Sequence, residues 1–260
     1  RYIDFYSFKN TYNLKINIDT NDNNEIQCNY GQLTKYNFNQ NKDLALLSFK
    51  KIYSDRMNNI NVHFYLQKGV INFSYFQENN DEYGVLIYQS MSGDASLGLG
   101  KFICTDSEIR IIETSPYYKT APMFFVTNTH ASIELTNCGF YYGSNTFLSV
   151  KATNEWGRIG QNGGNATLYI TNQFIEGNLE VDGNSYLTIK FIKSSIKGAI
   201  NPNGTAKVLA IDIDKDSKIT LTGNSYYTSF VNELQDGSNL INGSYSWSKS
   251  GENENSAKIS

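Results

Sequence analysis

Short apolar runs return along this chain in three interleaved series, and none is long enough to build an extended amphipathic helix. One series holds Val85-Leu86-Ile87, Met123-Phe124-Phe125-Val126, Phe147-Leu148-Ser149-Val150, Leu179-Glu180-Val181 and Ala199-Ile200. A second lies between its members: Phe102-Ile103, Ile133-Glu134-Leu135, Leu168-Tyr169-Ile170, Leu187-Thr188-Ile189 and Ile211-Asp212-Ile213. A weaker third holds Ile109-Arg110-Ile111, Phe140, Phe174-Ile175, Ile196 and Ile219-Thr220-Leu221. Inward and outward residues alternate within many of the runs, the period of a strand. Phe124 to Leu148 is 24 residues and Leu179 to Ile200 is 21.

Three strands per repeat of roughly twenty residues, with no helices between them, is the pattern of a single-stranded right-handed parallel β-helix, an all-β solenoid. A sandwich also spaces short strands regularly, but hairpin pairs such as Asn-Gly or Asp-Gly separate only a few of these runs. Loops leaving the corners at Ser90–Lys101, Thr114–Ala121 and Thr153–Asn165 account for the uneven spacing. In FFVTNTHASIELTNCGF (Phe124–Phe140), Thr-Asn recurs after nine residues, so Asn128 and Asn137 are expected to turn successive corners in the left-handed geometry that Asn tolerates. Residues 84–247 read as the main β-helix, 1–83 as its first coils and cap, and 248–260 as a polar linker. Leu44 to Ile52 reads equally as a capping helix or another strand.

Composition agrees. Tyr counts 19 while Pro and Met count 3 each, and Thr, Ile, Val, Gly and Asn make the β vocabulary. The net charge of -3, from 22 basic and 25 acidic residues, provides no field for steering nucleic acid. No apolar run approaches the roughly 18 residues of a membrane span, so no membrane insertion is expected. The opening RYIDFY reads as the start of an excised or mature segment.

The stretches VLIYQSMSGDASLGLGKF, FFVTNTHASIELTNC, WGRIGQNGGNATLYITNQ, GNLEVDGNSYLTIK and KGAINPNGTA carry a resemblance. Through them, Gly84 to Tyr245 is similar to the β-helical, pectin-lyase-like surface proteins of anaerobic, gut-type microbes. The resemblance implies a β-helix outside the cell or on its surface, with adhesin-like or carbohydrate-binding roles. It also implies membership of extracellular systems that degrade plant polysaccharide. The partners so implied are a polysaccharide or another extracellular protein, with tandem neighbours in a longer chain.

Candidate chemistry is sparse. The two histidines, His63 and His130, are far apart, which disfavours a Ser-His-Asp triad or a His-rich zinc site. A hydrolase needs two acids facing one sugar bond, about 5–9.5 Å apart. The best acidic cluster is Asp212, Asp214 and Asp216, whose oxygens can hold Ca²⁺. Its competing reading is a solvated face, with Lys190 expected beside Asp214 to quench it. In the loop TNEWGRIGQNGGN, Trp156 offers a ring to a sugar, with Glu155 and Arg158 beside it, or else folds back as a lid. Tyr118 and Tyr142, from doublets near corners, are further carbohydrate-binding candidates. Lys190, Lys193 and Lys197 form a basic line suited to an acidic polysaccharide, or a solvated face.

Asn-x-Ser/Thr occurs at Asn72, Asn165, Asn203 and Asn242, and these are glycosylation candidates in a secreting eukaryotic source. Of three cysteines, Cys104 and Cys138 are the pair to test for a disulfide, with buried unbonded thiols as the alternative. A non-catalytic extracellular module is expected, with a polysaccharide lyase or glycoside hydrolase as the alternative.

Overall fold

The computed structural model describes residues 84–88, 99–111, 113 and 117–250, and before residue 84 the backbones of strands alone. The described chain is all-β, without a helix, and built on parallel sheets. Sheet I has eight strands in chain order: Asn13–Ile18, Asn61–Gln67, Leu99–Thr105, His130–Thr136, Asn165–Thr171, Tyr186–Ile192, Val208–Ile213 and Ser229–Asn232. Every neighbour in it is parallel. Sheet II stacks Ile52–Tyr53, Val85–Tyr88, Phe124–Thr127, Thr146–Val150 and Asn178–Val181, also in parallel. A bridge from Leu179 to Ile200 extends it.

The third position is shared by two sheets. Val70–Phe73, Glu108–Ile111 and Gly139–Tyr141 end a seven-stranded sheet. Phe174–Glu176, Ser195–Lys197, Lys218–Thr220 and Leu240–Ile241 form a four-stranded one. From Val85 to Thr220 the chain visits sheet II, sheet I and the third position in that cyclic order, and the later strands Ser225–Tyr227 and Trp247–Lys249 form a separate two-stranded sheet. The three series of apolar runs are these three positions. Phe124 lies opposite Leu148, and Leu179 opposite Ile200, as the spacings of 24 and 21 residues require.

Two stretches the sequence reading left loosely defined are placed as strands. Ala45–Phe49 and Ile52–Tyr53 are strands, so the helix alternative for that stretch falls away, and Ala45–Phe49 pairs antiparallel with Leu33–Phe38. The last strand, Trp247–Lys249, pairs with Ser225–Tyr227. The residues 251–260 lie outside the described part.

Alternation builds the core. In sheet I the inward row Phe102, Ile133, Leu168, Ile189 and Ile211 stacks in register, each residue almost fully buried. Beside it runs Cys104, Leu135, Ile170, Phe191 and Ile213. A buried side chain of this size stabilises by roughly 1.5–3 kcal/mol, so a row in register gives each strand its place.

Four of the corners leaving sheet I follow one rule. A residue with positive φ turns the chain: Asp106 (50°), Asn137 (52°), Asn172 (46°) and Lys193 (48°). Asn128 and Asn201, both at 49°, turn the corner entering sheet I. After the turn a polar side chain or thiol points inward and is buried: Ser107, Cys138, Gln173, Ser194, Ser217 and Asn239. These form a ladder. The N–H of Cys138 donates to Gln173 Oε1 (2.7 Å), that of Gln173 to Ser194 Oγ (3.0 Å), and that of Ser194 to Ser217 Oγ (2.8 Å). Gln173, Ser194 and Ser217 thereby each satisfy a buried amide of the preceding circuit, which would otherwise be costly.

Lys193 breaks the rule of residue type, since left-handed geometry suits Asn, Asp and Gly. Lys193→Asn is expected to raise the unfolding free energy by about 1 kcal/mol. The check is a higher urea midpoint at unchanged slope. An unchanged or lower midpoint would count against backbone strain at this corner.

Candidate functional site

In the loop between Val150 and Asn165, Trp156 folds back onto sheet II while Ile159 is 78% exposed. Trp156 lies against Leu86, Tyr88 and Phe125, outward residues of sheet II, with its ring centroid 4.6 Å from that of Tyr88. Asn162 Nδ2 donates to the carbonyls of Trp156 (2.8 Å) and Thr153, tying both ends of the loop together. Gly157, with φ +76°, sits so close to Asn128 that a Cβ there would meet Asn128 Oδ1 at 2.3 Å. Trp156 is placed as a lid over a small outer apolar cluster. Glu155 and Arg158 are exposed on the loop beside it.

The other two aromatic candidates are also used in packing. Tyr142 donates its hydroxyl to the Glu176 carbonyl of the next circuit. Burial, with the nearby Glu176 charge, pushes its phenol well above the usual value. Tyr118 is half-buried against the core and lies over Gly143, where a Cβ would meet its ring at 2.3 Å.

The acidic cluster disperses. Asp212 is exposed and stands opposite Lys190, so the expected pairing of Lys190 with Asp214 is corrected by two residues. The reason is the core: Ile189 stacks on Ile211, which fixes the outward neighbours. Asp214 lies beyond the strand end, where its Oδ2 accepts the N–H of Lys193 at 2.9 Å. Asp216 is exposed. Among the described residues, no three His, Cys, Asp or Glu side chains converge to hold a metal ion. The basic line divides as well. Lys190 faces out from sheet I, Lys193 turns the corner, and Lys197 pairs with Glu176 at 2.7 Å on the four-stranded sheet.

Other acids are engaged locally. Lys101 meets Glu134 at 2.6 Å, and Arg110 meets Glu108 at 2.5 Å. Burial alone would raise the Glu180 carboxyl, but hydrogen bonds from Lys151 and Thr146 and the Lys151 charge hold it below the usual carboxylate value. Among the sequons, Asn165 is exposed at a strand start and Asn203 is exposed in a turn. Asn242 is half-buried with its Oδ1 enclosed, and Asn72 lies in a strand opposite Arg110, its side chain outside the described part. Cys104 and Cys138 are buried thiols with their sulfurs 2.9 Å apart.

The structure brings together a surface that single-residue reading missed. On the outer face of sheet I, Glu134, Tyr169, Lys190 and Asp212 form one row in register. Hydroxyl rows flank it: Ser132, Thr167 and Thr188 on one side, Thr105, Thr136 and Thr171 on the other. Tyr169 is 38% exposed, and Lys190 Nζ stands 5.8 Å from its ring centroid. The signal was present in the alternation of Ala-Thr-Leu-Tyr-Ile-Thr, where every second residue faces out. Comparison of the chain with protein-family models, with curated proteins and with solved structures returned no match.

Proposed function

We propose that the sheets close into a single-stranded right-handed parallel β-helix that serves as a non-catalytic, extracellular polysaccharide-binding module. Three things support the closure: the cyclic order of the sheets, the parallel pairing, and connections short enough to join neighbouring faces. Crossovers between parallel strands are right-handed in nearly all proteins, which supports the hand. The resemblance of Gly84 to Tyr245 to surface β-helices supports the setting. Adhesion or scaffolding is the use to which such a module is put when it recurs in tandem.

The observation that carries the binding reading is the outer face of sheet I. Tyr169 presents a flat apolar ring from a rigid strand, and a sugar face stacks on such a ring. Thr167, Thr171 and Thr188 place hydroxyls around it, and Lys190 adds a donor suited to an acidic sugar. The strands lie about 4.8 Å apart, so the surface is held in register without mobile loops.

The test is retention on a panel of neutral and acidic polysaccharide gels, with products assayed for new reducing or unsaturated ends. Tyr169→Ala is expected to weaken binding about tenfold, equal to ~1.4 kcal/mol, while leaving the thermal midpoint nearly unchanged. Equal retention of the variant on every gel would remove Tyr169 from the site. Cleavage of any substrate would overturn the non-catalytic reading in favour of a lyase or hydrolase.

A further inference from the structure

We propose that Cys104 and Cys138 are the two halves of a disulfide that straps consecutive circuits together from the inside. Two rows of the core depart from their residue type at the same place. Cys104 sits on sheet I in the inward row otherwise held by Leu135, Ile170, Phe191 and Ile213. Cys138 sits in the corner ladder, where the other circuits carry Ser, Gln or Asn. A thiol is a poor hydrogen-bonding substitute in a polar ladder and adds little to an aliphatic row. Both departures face each other, with sulfurs 2.9 Å apart and almost no solvent on either.

No third ligand of the acidic or imidazole kind converges on the pair among the described residues.

The chemistry is thiol–disulfide exchange with a small-molecule disulfide, before the two circuits close over the pair. The thiolate of one of the two cysteines attacks one sulfur of the oxidant, breaks its S–S bond and expels one thiolate. The other, deprotonated, then attacks the protein sulfur of the mixed disulfide and expels the second. The protein loses two protons and two electrons, and the oxidant leaves as two thiols.

The experiment uses the full chain, refolded in a buffer of reduced and oxidised glutathione. It is then denatured without reductant, alkylated and mapped by peptide mass. The expected result is one linked peptide pair containing Cys104 and Cys138, with Cys28 alone alkylated. Reductant should lower the thermal midpoint of the wild type to that of Cys138→Ser, which keeps a polar side chain in the ladder. Alkylation of all three cysteines, or a bond from either core cysteine to Cys28, would overturn the proposal. A midpoint indifferent to reductant in the cross-linked protein would overturn its role as a strap. Because the map is read from the wild type, it stands even where Cys138→Ser fails to fold.

Discussion

Phe124→Ala is expected to destabilise the protein by about 4 kcal/mol. Phe124 is fully buried in sheet II and meets three other rings edge-on or tilted. Phe102 of sheet I lies 5.2 Å away between centroids, Phe140 of the third position 5.9 Å, and Phe147 of the next strand in sheet II 5.3 Å. The ring therefore fills the space where all three faces converge. Truncation removes apolar contact with each face and leaves a cavity that three separate ladders hold open, so little collapse can refill it. Urea unfolding measures the loss, with Phe174→Ala as the comparison. Phe174 is 55% exposed, so its truncation should stay within about 0.5 kcal/mol of wild type. Equal midpoints for the two variants would refute the three-faced core.

Gly198→Ala is expected to cost about 3 kcal/mol, for a different reason. Gly177 and Gly198 stack at the corner that leaves the four-stranded sheet. A Cβ on Gly198 would meet the Gly177 carbonyl oxygen at 2.0 Å and its carbon at 2.7 Å. Both obstacles are backbone, so no rotamer change relieves the clash. The Gly177 N–H is bonded to the Lys197 carbonyl at 2.9 Å, and the Gly198 N–H to that of Thr220 at 3.0 Å. Relief therefore means parting circuits and loosening these bonds. Gly183→Ala is the control: its nearest neighbour would be the Thr205 carbonyl at 3.4 Å, an ordinary contact. There, lost freedom in the unfolded chain should leave stability unchanged or slightly higher. Thermal midpoints in the opposite order would show that the corner yields more readily than its geometry implies.

The strand positions were legible because burial writes itself in every second residue. Phe102, Ile133, Leu168, Ile189 and Ile211 could be aligned by eye, and they stack as one row. Asn128 and Asn137 were legible as corners, because few residues adopt positive φ at low cost. Lys193 at the equivalent position carries no such signal in its side chain. The partner of Asp214 was misplaced because outward neighbours depend on the inward register, and the strand ends before Asp214. The lid of Trp156 depends on Leu86, Tyr88, Phe125, Asn128 and Asn162, none of which is local enough for a periodic pattern to reveal. Tyr169 becomes a candidate only when Thr188 and Lys190 are known to stand beside it.

The buried corner ladder bears on how such a chain can change its length over generations. Gln173 answers Cys138, Ser194 answers Gln173, and Ser217 answers Ser194, each pair bridging only adjacent circuits. Gln173 and Ser194 are 21 residues apart. A duplicated stretch of that span brings its own turning residue, its own rung and one strand for each face. A gain or loss of a whole circuit therefore leaves the ladder amides answered, whereas a gain or loss of one residue within a strand turns its inward row outward. By this geometry a change of length by an entire circuit is accommodated without rebuilding the core, whereas a smaller step is not.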